Sequence, residues 1–238
     1  MDGGDVQIAL LAYEHMAALD AVGPYEIVSR LPGAEAIVVG ERRGAVRCDT
    51  RSLALVADAV LDEVTAPDVL IIPGWSGSEQ ENLLRPGPVQ EWVRSVDRHT
   101  TWTTSAGTGA IVLAAAGLLT GRRATTHWLA VDWLAELGAV PVGGRVVRDG
   151  KYLTAAGVSA GIEMGLTLAA TIAGDQTARA IQLLLEYDPE PPFDCGSAET
   201  APAELVTSMR ALRGFILNGA PHASAAVTRG LRTAGRGI

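Results

Sequence analysis

The sequence predicts a doubly wound α/β fold, with a mainly parallel sheet and helices on both faces. Two observations predict it. Short, nearly continuous apolar runs, such as residues 6–12 and 68–72, have the length and composition of strands buried on both faces. These runs alternate along the chain with stretches of helical spacing. Such alternation favours a parallel sheet covered by crossover helices.

Strands are predicted where apolar or β-branched residues stand between turn residues. The expected strands, in chain order, are residues 6–12, 36–39, 68–72, 100–104 and 124–126. Residues 46–56 alternate loosely and predict a hairpin or edge excursion. Asp149-Gly150 between residues 145–148 and 152–155 indicates a tight β-hairpin.

Helices are predicted where apolar residues recur every three or four positions or where small residues cluster. These stretches are residues 18–30, 88–98, 109–119, 128–137, 159–173 and 175–187. We expect one domain over residues 1–238, with a core at 6–200 and a C-terminal helical tail at 201–238. From residue 220 onward, Ala, Gly and Arg favour a frayed helix or a disordered end.

Composition restricts the possible partners. A net charge of −8 and an isoelectric point of about 5.0 argue against nucleic acid as a partner. Two cysteines, Cys48 and Cys195, are too few for a disulfide framework or a paired-cysteine metal site. The acidic N-terminus lacks the basic region of a signal peptide, and no apolar stretch has the length of a bilayer span. We therefore expect a cytoplasmic protein without membrane contact, metal or cofactor.

Residues suited to chemistry follow three of the predicted strands. Asp20 comes after the first, residues 73–77 after the third, and residues 105–109 after the fourth. The last segment has the strand–turn–helix order of a nucleophile elbow. In a doubly wound sheet the carboxyl ends of the strands form the usual site. Backbone N–H groups at Gly74-Trp75 and Gly107-Thr108 are candidates for stabilising developing negative charge there.

Several runs of the sequence resemble the DJ-1/PfpI family, in particular its isonitrile-hydratase-like branch. These runs are residues 19–24 (LDAVGP), 104–110 (TSAGTGA), 114–119 (AAAGLL), 121–128 (GRRATTHW), 155–161 (AAGVSAG), 187–189 (YDP) and 192–194 (PFD). They cover the chain from residue 6 to about 200. The resemblance implies a flavodoxin-like sandwich, a small-molecule substrate and usually a homodimer.

The resemblance also implies roles for individual residues. In that branch the elbow reads Cys-Thr-Gly; the cysteine attacks, the threonine assists, and an acid at the position of Asp20 moves protons. Asp20 and Thr108 are present in this chain, but the cysteine's position is occupied by Gly107. Relatives place a histidine near the reactive cysteine, where this chain has His127.

Other departures cluster around the same expected pocket. Trp75 stands where the family loop has a second glycine, and His15-Met16 stands where Gly-Phe is common. A tryptophan beside a pocket suits an aromatic or cationic ligand, although tryptophans are in general more often structural. His15 and His127 are in general more often packing or hydrogen-bonding residues than catalysts.

Gly107 has three interpretations. The glycine is an engineered knockout of the cysteine, or the protein is an inactive homologue, or the enzyme works without a covalent step. We favour the third interpretation. Glycine adopts a positive φ at low cost and leaves room for a reacting centre. Asp20 either caps the following helix or acts as a proton carrier, and the resemblance favours the second.

These observations predict a cofactor-independent lyase, hydratase or cyclase that acts on a small molecule, with biosynthesis as a possible setting. The expected catalytic residues are Asp20 and Thr108. The expected substrate-binding residues are Trp75, Gly74, Gly107, His15, Met16 and His127. The alternatives are an isonitrile-hydratase-like enzyme with an altered mechanism and a catalytically inactive ligand-binding homologue.

Overall fold

The computed structural model describes residues 6–76 and 81–214. The strands are β1 (Val6–Leu11), β2 (Ala34–Gly40), β3 (Gly44–Arg47), β4 (Ala54–Ala57), β5 (Ala59–Val60), β6 (Val69–Ile72), β7 (Trp102–Ser105), β8 (Arg123–Ala124), β9 (Val140–Pro141), β10 (Val146–Asp149) and β11 (Tyr152–Ala155). The helices are α1 (Ala18–Val28), α2 (Glu81–Leu84), α3 (Pro88–Asp97), α4 (Gly109–Ala115), α5 (Val131–Glu136), α6 (Ala160–Ala173), α7 (Asp175–Leu184) and α8 (Ala203–Ala211).

A central seven-stranded sheet has the order β10-β11-β7-β6-β1-β2-β5. Every neighbouring pair is parallel except the hairpin of β10 and β11. All residues of β6, β7 and β11 are buried, as expected for strands covered on both faces. The predicted doubly wound, flavodoxin-like α/β fold is confirmed. Because β7, β6 and β1 are adjacent and parallel, the segments that follow them meet at one edge of the sheet.

The predicted β-hairpin at 145–155 and the hairpin within 46–56 are confirmed, the latter as β3 and β4 in a small sheet of their own. The predicted strand at 124–126 is confirmed only at its first residue. Only β8 forms there, and it pairs with β9 outside the central sheet. The strand predicted at 100–104 begins two residues later, as β7.

Five predicted helices end early, among them 18–30, which stops at Val28, and 109–119, which stops at Ala115. The helix at 128–137 is divided into a short 3₁₀ turn and α5, because the backbone of Ala130 leaves the helical region with φ of −108° and ψ of 3°. The short elements β5, α2 and β9 were not predicted. Helix α8 lies in the predicted C-terminal helical tail, whose part from residue 220 lies outside the described residues.

Helix α1, which carries Asp20, packs closely against α6. A Cβ atom at Gly165 would lie 2.9 Å from the Cβ atom of Ile27, so the two backbones approach at a distance that only glycine permits. Gly23 lies similarly near Ile162, at 3.2 Å from a Cβ position. This close packing fixes the position of α1 and therefore of the carboxyl group at its first turn.

Candidate active site

Asp20, Gly74 and Gly107 come together at the carboxyl edge of the sheet. The backbone N–H of Gly74, in the loop after β6, donates a hydrogen bond of 3.1 Å to Asp20 Oδ2. A Cβ atom built on Gly107, in the turn after β7, would lie 2.4 Å from the same oxygen. The convergence of these residues expected from the strand ends is therefore present.

Gly107 is glycine for two physical reasons. Its φ of +54° lies in the left-handed region, which L-residues with side chains rarely adopt. In addition, the Asp20 carboxyl group occupies the space that a side chain at position 107 would need. Any side chain there requires the carboxyl group to move. The elbow and the carboxyl group are thus mutually dependent.

Asp20 is a buried carboxyl group with no counter-charge among residues 6–76 and 81–214. Its residue is 2% exposed, and its Oδ1 has no hydrogen-bond partner in the part of the chain that the structure describes. Burial raises the pKa of Asp20 to about 7; the Gly74 amide opposes the rise, and the charge of Asp49 adds to it. Ala17 is the N-cap residue of α1, and no side chain caps the helix, so the capping interpretation of Asp20 is wrong.

Thr108 holds the loop after β6 against the elbow. Its hydroxyl accepts a hydrogen bond of 2.7 Å from the N–H of Trp75 and donates one of 3.0 Å to the carbonyl oxygen of the same residue. The hydroxyl is therefore fully engaged in positioning this loop. A direct part in catalysis stays a prediction.

The predicted set of anion-stabilising N–H groups needs correction at three of its four positions. Gly74 donates to Asp20, Trp75 donates to the Thr108 hydroxyl, and Gly107 donates to the carbonyl oxygen of Ala155 at 3.1 Å. These three donors are already satisfied by the protein. Sequence could not reveal this, because the acceptors are supplied by distant segments.

Three other predicted binding residues, Trp75, Met16 and His15, lie on this edge. The first two are buried: Trp75 is 3% exposed and Met16 is fully buried. The Met16 backbone bridges Cys48 on one side and Trp75 on the other. His15 has a positive φ of 66°, and its N–H donates to the carbonyl oxygen of Arg47. Ligand binding by these residues stays a prediction.

His127 is connected to the elbow through its neighbour. The hydroxyl of Thr126 donates a 2.9 Å hydrogen bond to the carbonyl oxygen of Gly107. Nδ1 of His127 accepts from the N–H of Leu129 at 3.3 Å, and burial lowers the pKa of the imidazole. His127 lines a cavity of about 420 Å³, of which neither Asp20 nor Gly107 is a lining residue.

Three residues near the Asp20 carboxyl group were not predicted from the sequence. Thr126 supports the elbow, and Asp49 raises the pKa of Asp20. The hydroxyl of Tyr13 donates to the carbonyl oxygen of Pro73 at 2.5 Å, and its pKa is raised by burial and by the charge of Asp20. Thr126 lay within a run that carried the family resemblance. For Tyr13 and Asp49 the sequence held no comparable indication.

Within residues 6–76 and 81–214, no group of three or more His, Cys, Asp or Glu side chains is arranged to hold a metal ion. No helix in those ranges is long and apolar enough to cross a membrane.

The family model of the DJ-1/PfpI family matches residues 6–171. This chain belongs to that family. It is 40% identical over 205 residues to the isonitrile hydratase of Pseudomonas putida. The match covers 86% of this chain and 89% of the relative. It is 35% identical over 131 residues to the HTH-type transcriptional regulator CdhR of Pseudomonas aeruginosa, a match of 54% of this chain and 38% of the regulator.

A solved structure shares the whole architecture. The ThiJ/PfpI family protein from Pseudomonas syringae superposes with a TM-score of 0.84 at 35% identity, over 98% of this chain and 91% of that one. The DJ-1β structure from Drosophila melanogaster, at 20% identity and a TM-score of 0.69 over 76% of this chain and 98% of that one, shows the fold alone. The resemblance expected from the motifs is confirmed.

Proposed function

We propose that this protein is a cofactor-independent enzyme of the hydratase or lyase type, with Asp20 as its general acid and base. The observation that carries the proposal is the state of the Asp20 carboxyl group. It is buried and lies directly over Gly107, one of its oxygens has no partner among the described residues, and its pKa is raised to about 7. Such a carboxyl group exchanges protons readily near neutral pH.

The carboxyl group works in both directions during a hydration. As carboxylate, Asp20 takes a proton from water while the water oxygen bonds to an electrophilic carbon of the substrate. As carboxylic acid, it then returns that proton to the substrate, so both the enzyme and the proton count are restored. A pKa near the working pH makes both transfers accessible, which is the usual requirement for a general acid–base catalyst.

The reaction passes through no covalent cysteine intermediate. The family resemblance places the nucleophile at position 107, which is glycine in this chain. Cys48 is fully buried, and its pKa is raised first by burial and then by Asp49, both of which disfavour a reactive thiolate. A catalyst that lacks the thiol has to use water directly.

An isonitrile is the first substrate to test, because the Pseudomonas putida relative is named for isonitrile hydration and is 40% identical to this chain. Hydration converts R–N≡C and water into the formamide R–NH–CHO. Other small electrophiles whose hydration, elimination or cyclisation needs only proton transfer use the same machinery. The inactive ligand-binding alternative gives no turnover of any of them.

We also propose that the enzyme is a homodimer, as the family resemblance implies. Leu183 and Leu184, at the end of α7, are 81% and 71% exposed, and Phe193 is 77% exposed, which offers an apolar surface to a second copy. Light scattering at micromolar concentration tests this expectation. A monomer at that concentration rules it out.

The decisive experiment compares turnover of an isonitrile by the wild type, Asp20→Asn and the control Asp175→Asn, which changes an exposed aspartate at the start of α7. Asp20→Asn keeps the shape but cannot exchange protons, so we expect kcat to fall by about 10²–10⁴-fold. The control should be unchanged. Iodoacetamide should leave turnover largely intact, unless alkylated Cys195 blocks the cavity. Full activity of Asp20→Asn would refute the mechanism.

A further inference from the structure

A cavity of about 420 Å³ lies beside the elbow and is not part of the proton-transfer machinery described above. One wall is the short turn at His127–Leu129, and the other is the segment that includes Cys195 and helix α8. Its volume is within the range of small-molecule sites in proteins, about 300–1,000 Å³. It therefore has room for a substantial part of a small substrate.

The lining is apolar and uncharged. The large side chains facing the cavity are those of Trp128, Leu129, Leu205, Val206 and Met209. No Asp, Glu, Lys or Arg residue is among the lining residues within the described part of the chain. Such a surface favours a hydrocarbon group and disfavours a charged one, because an ion would lose its hydration without gaining a partner.

One polar group provides a fixed hydrogen-bond donor at the wall. His127 Nδ1 accepts from the Leu129 N–H, so the neutral ring carries its proton on Nε2. Burial lowers the pKa of His127, which keeps the ring neutral at neutral pH. The Nε2–H has no acceptor among the described residues and is available to an acceptor atom on a ligand.

The cavity lies close to the proposed reaction centre, although neither Asp20 nor Gly107 lines it. His127 follows Thr126, whose hydroxyl donates to the carbonyl oxygen of Gly107. Gly107 in turn lies against the Asp20 carboxyl group. Only Thr126 separates His127 from the hydrogen bond to the elbow, so the cavity and the Asp20 carboxyl group are near enough for one substrate to be considered for both.

We infer that this cavity binds the apolar, uncharged part of the substrate and so determines which substrates the enzyme takes, with His127 donating a hydrogen bond to the ligand. The inference rests on the proposed function for the nature of the reacting group. It adds the substrate class, an uncharged small molecule with a medium-sized hydrocarbon group. It also adds a part of the chain, residues 195–209, that the proton-transfer mechanism does not use.

The test measures binding without turnover. Linear N-alkylformamides, the hydration products of alkyl isonitriles, are titrated calorimetrically into the full-length protein. Each buried methylene should improve the affinity about fourfold, so N-hexylformamide should bind about 15-fold more tightly than N-butylformamide. Affinity that does not change with chain length would overturn the proposal.

Two matched variants locate the effect. Ala201→Trp fills the cavity and should abolish most of the chain-length dependence, whereas Ala203→Trp, at an exposed position in α8, should leave it intact. His127→Asn keeps a cap acceptor for the Leu129 N–H but removes the cavity donor. It should weaken every member of the series by a similar factor, about three- to tenfold. Identical series for Ala201→Trp and the wild type would contradict the assignment.

A measurement on the wild type keeps the test valid if Ala201→Trp does not fold. Cys195 lines the cavity and is half-buried, whereas Cys48 is fully buried. Saturating N-hexylformamide should therefore slow alkylation of Cys195 by iodoacetamide at least about tenfold, as followed by mass spectrometry, while N-methylformamide at the same concentration should not. An unchanged rate would mean that the ligand binds elsewhere and would overturn the proposal.

Failure of this inference is distinguishable from failure of the proposed function. The titrations are repeated on Asp20→Asn, for which the same chain-length dependence is expected because the carboxyl group does not line the cavity. A normal binding series together with an active Asp20→Asn refutes the mechanism alone. A flat binding series together with an inactive Asp20→Asn refutes the cavity assignment alone.

Discussion

Two buried aspartates at opposite edges of the same sheet differ in how they are satisfied. Asp97, at the end of α3, is 7% exposed; it accepts a 2.7 Å hydrogen bond from Thr103 and one of 3.1 Å from the hydroxyl of Tyr152, and it lies 3.1 Å from Lys151 Nζ. Asp20 is 2% exposed; within the part of the chain that the structure describes it has one hydrogen bond, from a backbone amide, and no cation.

This difference distinguishes a structural carboxyl group, Asp97, from one that remains available for chemistry, Asp20. Asp97 joins α3, β7 and β11 through contacts to groups that stay in place. Asp20 keeps one oxygen unpartnered within the described residues, and burial raises its pKa. A buried polar group left in this state costs stability and is retained where it has a use. Each prediction below tests this contrast.

The largest expected effect is on the pH dependence of stability. The pKa of Asp20 is about 7 in the folded protein and 3.8 at its ordinary value, so between these pH values the folded state binds the proton and the unfolded state releases it. The free energy of unfolding therefore falls by about 4 kcal/mol in total as the pH rises from about 4 to 7. Above about pH 7 the Asp20 contribution no longer changes with pH.

Asp20→Asn has no such titration. Urea unfolding of both proteins between pH 4 and pH 8 should show the variant gaining stability relative to the wild type as the pH rises. Because all other acids are common to the two proteins, their contributions cancel in the difference. A difference that is constant with pH would mean that Asp20 titrates normally, and the contrast with Asp97 would be lost.

The next effect has the opposite sign. Asp97→Asn removes the negative charge that faces Lys151, whose side chain is 29% exposed, and disturbs two hydrogen bonds. We expect a loss of about 3 kcal/mol at pH 7, toward the lower end for breaking a buried pair, because solvent partly screens the lysine. Isonitrile turnover per folded molecule should not change. A stable Asp97→Asn with reduced turnover would reverse the assignments of the two aspartates.

Gly107→Ala should cost about 2 kcal/mol or more, from a strained φ and from overlap with the Asp20 carboxyl group. Gly117→Ala is the matched control: its φ is +80°, and no atom lies within 4 Å of its Cβ position, so it reports backbone strain alone. In an Asp20→Ala background the cost at position 107 should fall toward that of the control. Equal costs in both backgrounds would show that the carboxyl group does not impose glycine at the elbow.

The smallest effect concerns the support of the elbow. Thr126→Val removes the hydrogen bond to the carbonyl oxygen of Gly107 and should destabilise the protein by about 1 kcal/mol. Thr104→Val removes a similar buried bond, of 3.0 Å to the carbonyl oxygen of Leu70, within the sheet. Both variants should lose similar stability, but only Thr126→Val should also lower kcat several-fold. If Thr126→Val and Thr104→Val had equal kcat values, Thr126 would have a structural role only.

Much of the fold could be predicted because it depends on local patterns. The apolar run that forms β6 and the Asp149-Gly150 turn of the β10–β11 hairpin act through neighbours in sequence. Short elements such as β8 and β9 could not be placed, because two-residue strands have no periodicity and depend on a partner elsewhere. Helix ends were missed for a related reason: the 128–137 stretch is divided at Ala130, where the backbone is not helical, and helical spacing alone does not reveal such a break.

The residues of the site could be predicted from the sequence only in part. That Asp20, Gly74, Gly107 and Thr108 would meet follows from strand order and parallel direction, and the motifs identified the family. That Trp75 would be buried, and that its N–H would be taken by the Thr108 hydroxyl, does not follow. These partners are 33 residues apart, and their contact depends on how a loop packs.

The sequence by itself determined the doubly wound fold, the family and the absence of a cysteine at the elbow, since these depend on residue identity and short-range spacing. Only the tertiary structure decided which buried aspartate keeps an oxygen without a partner among the described residues, which N–H groups are taken by the protein, and that residues 195–209 close a cavity beside His127. The physical reason is that burial and hydrogen-bond satisfaction are set by distant segments. The amide that contacts Asp20, for example, belongs to a residue 54 positions away.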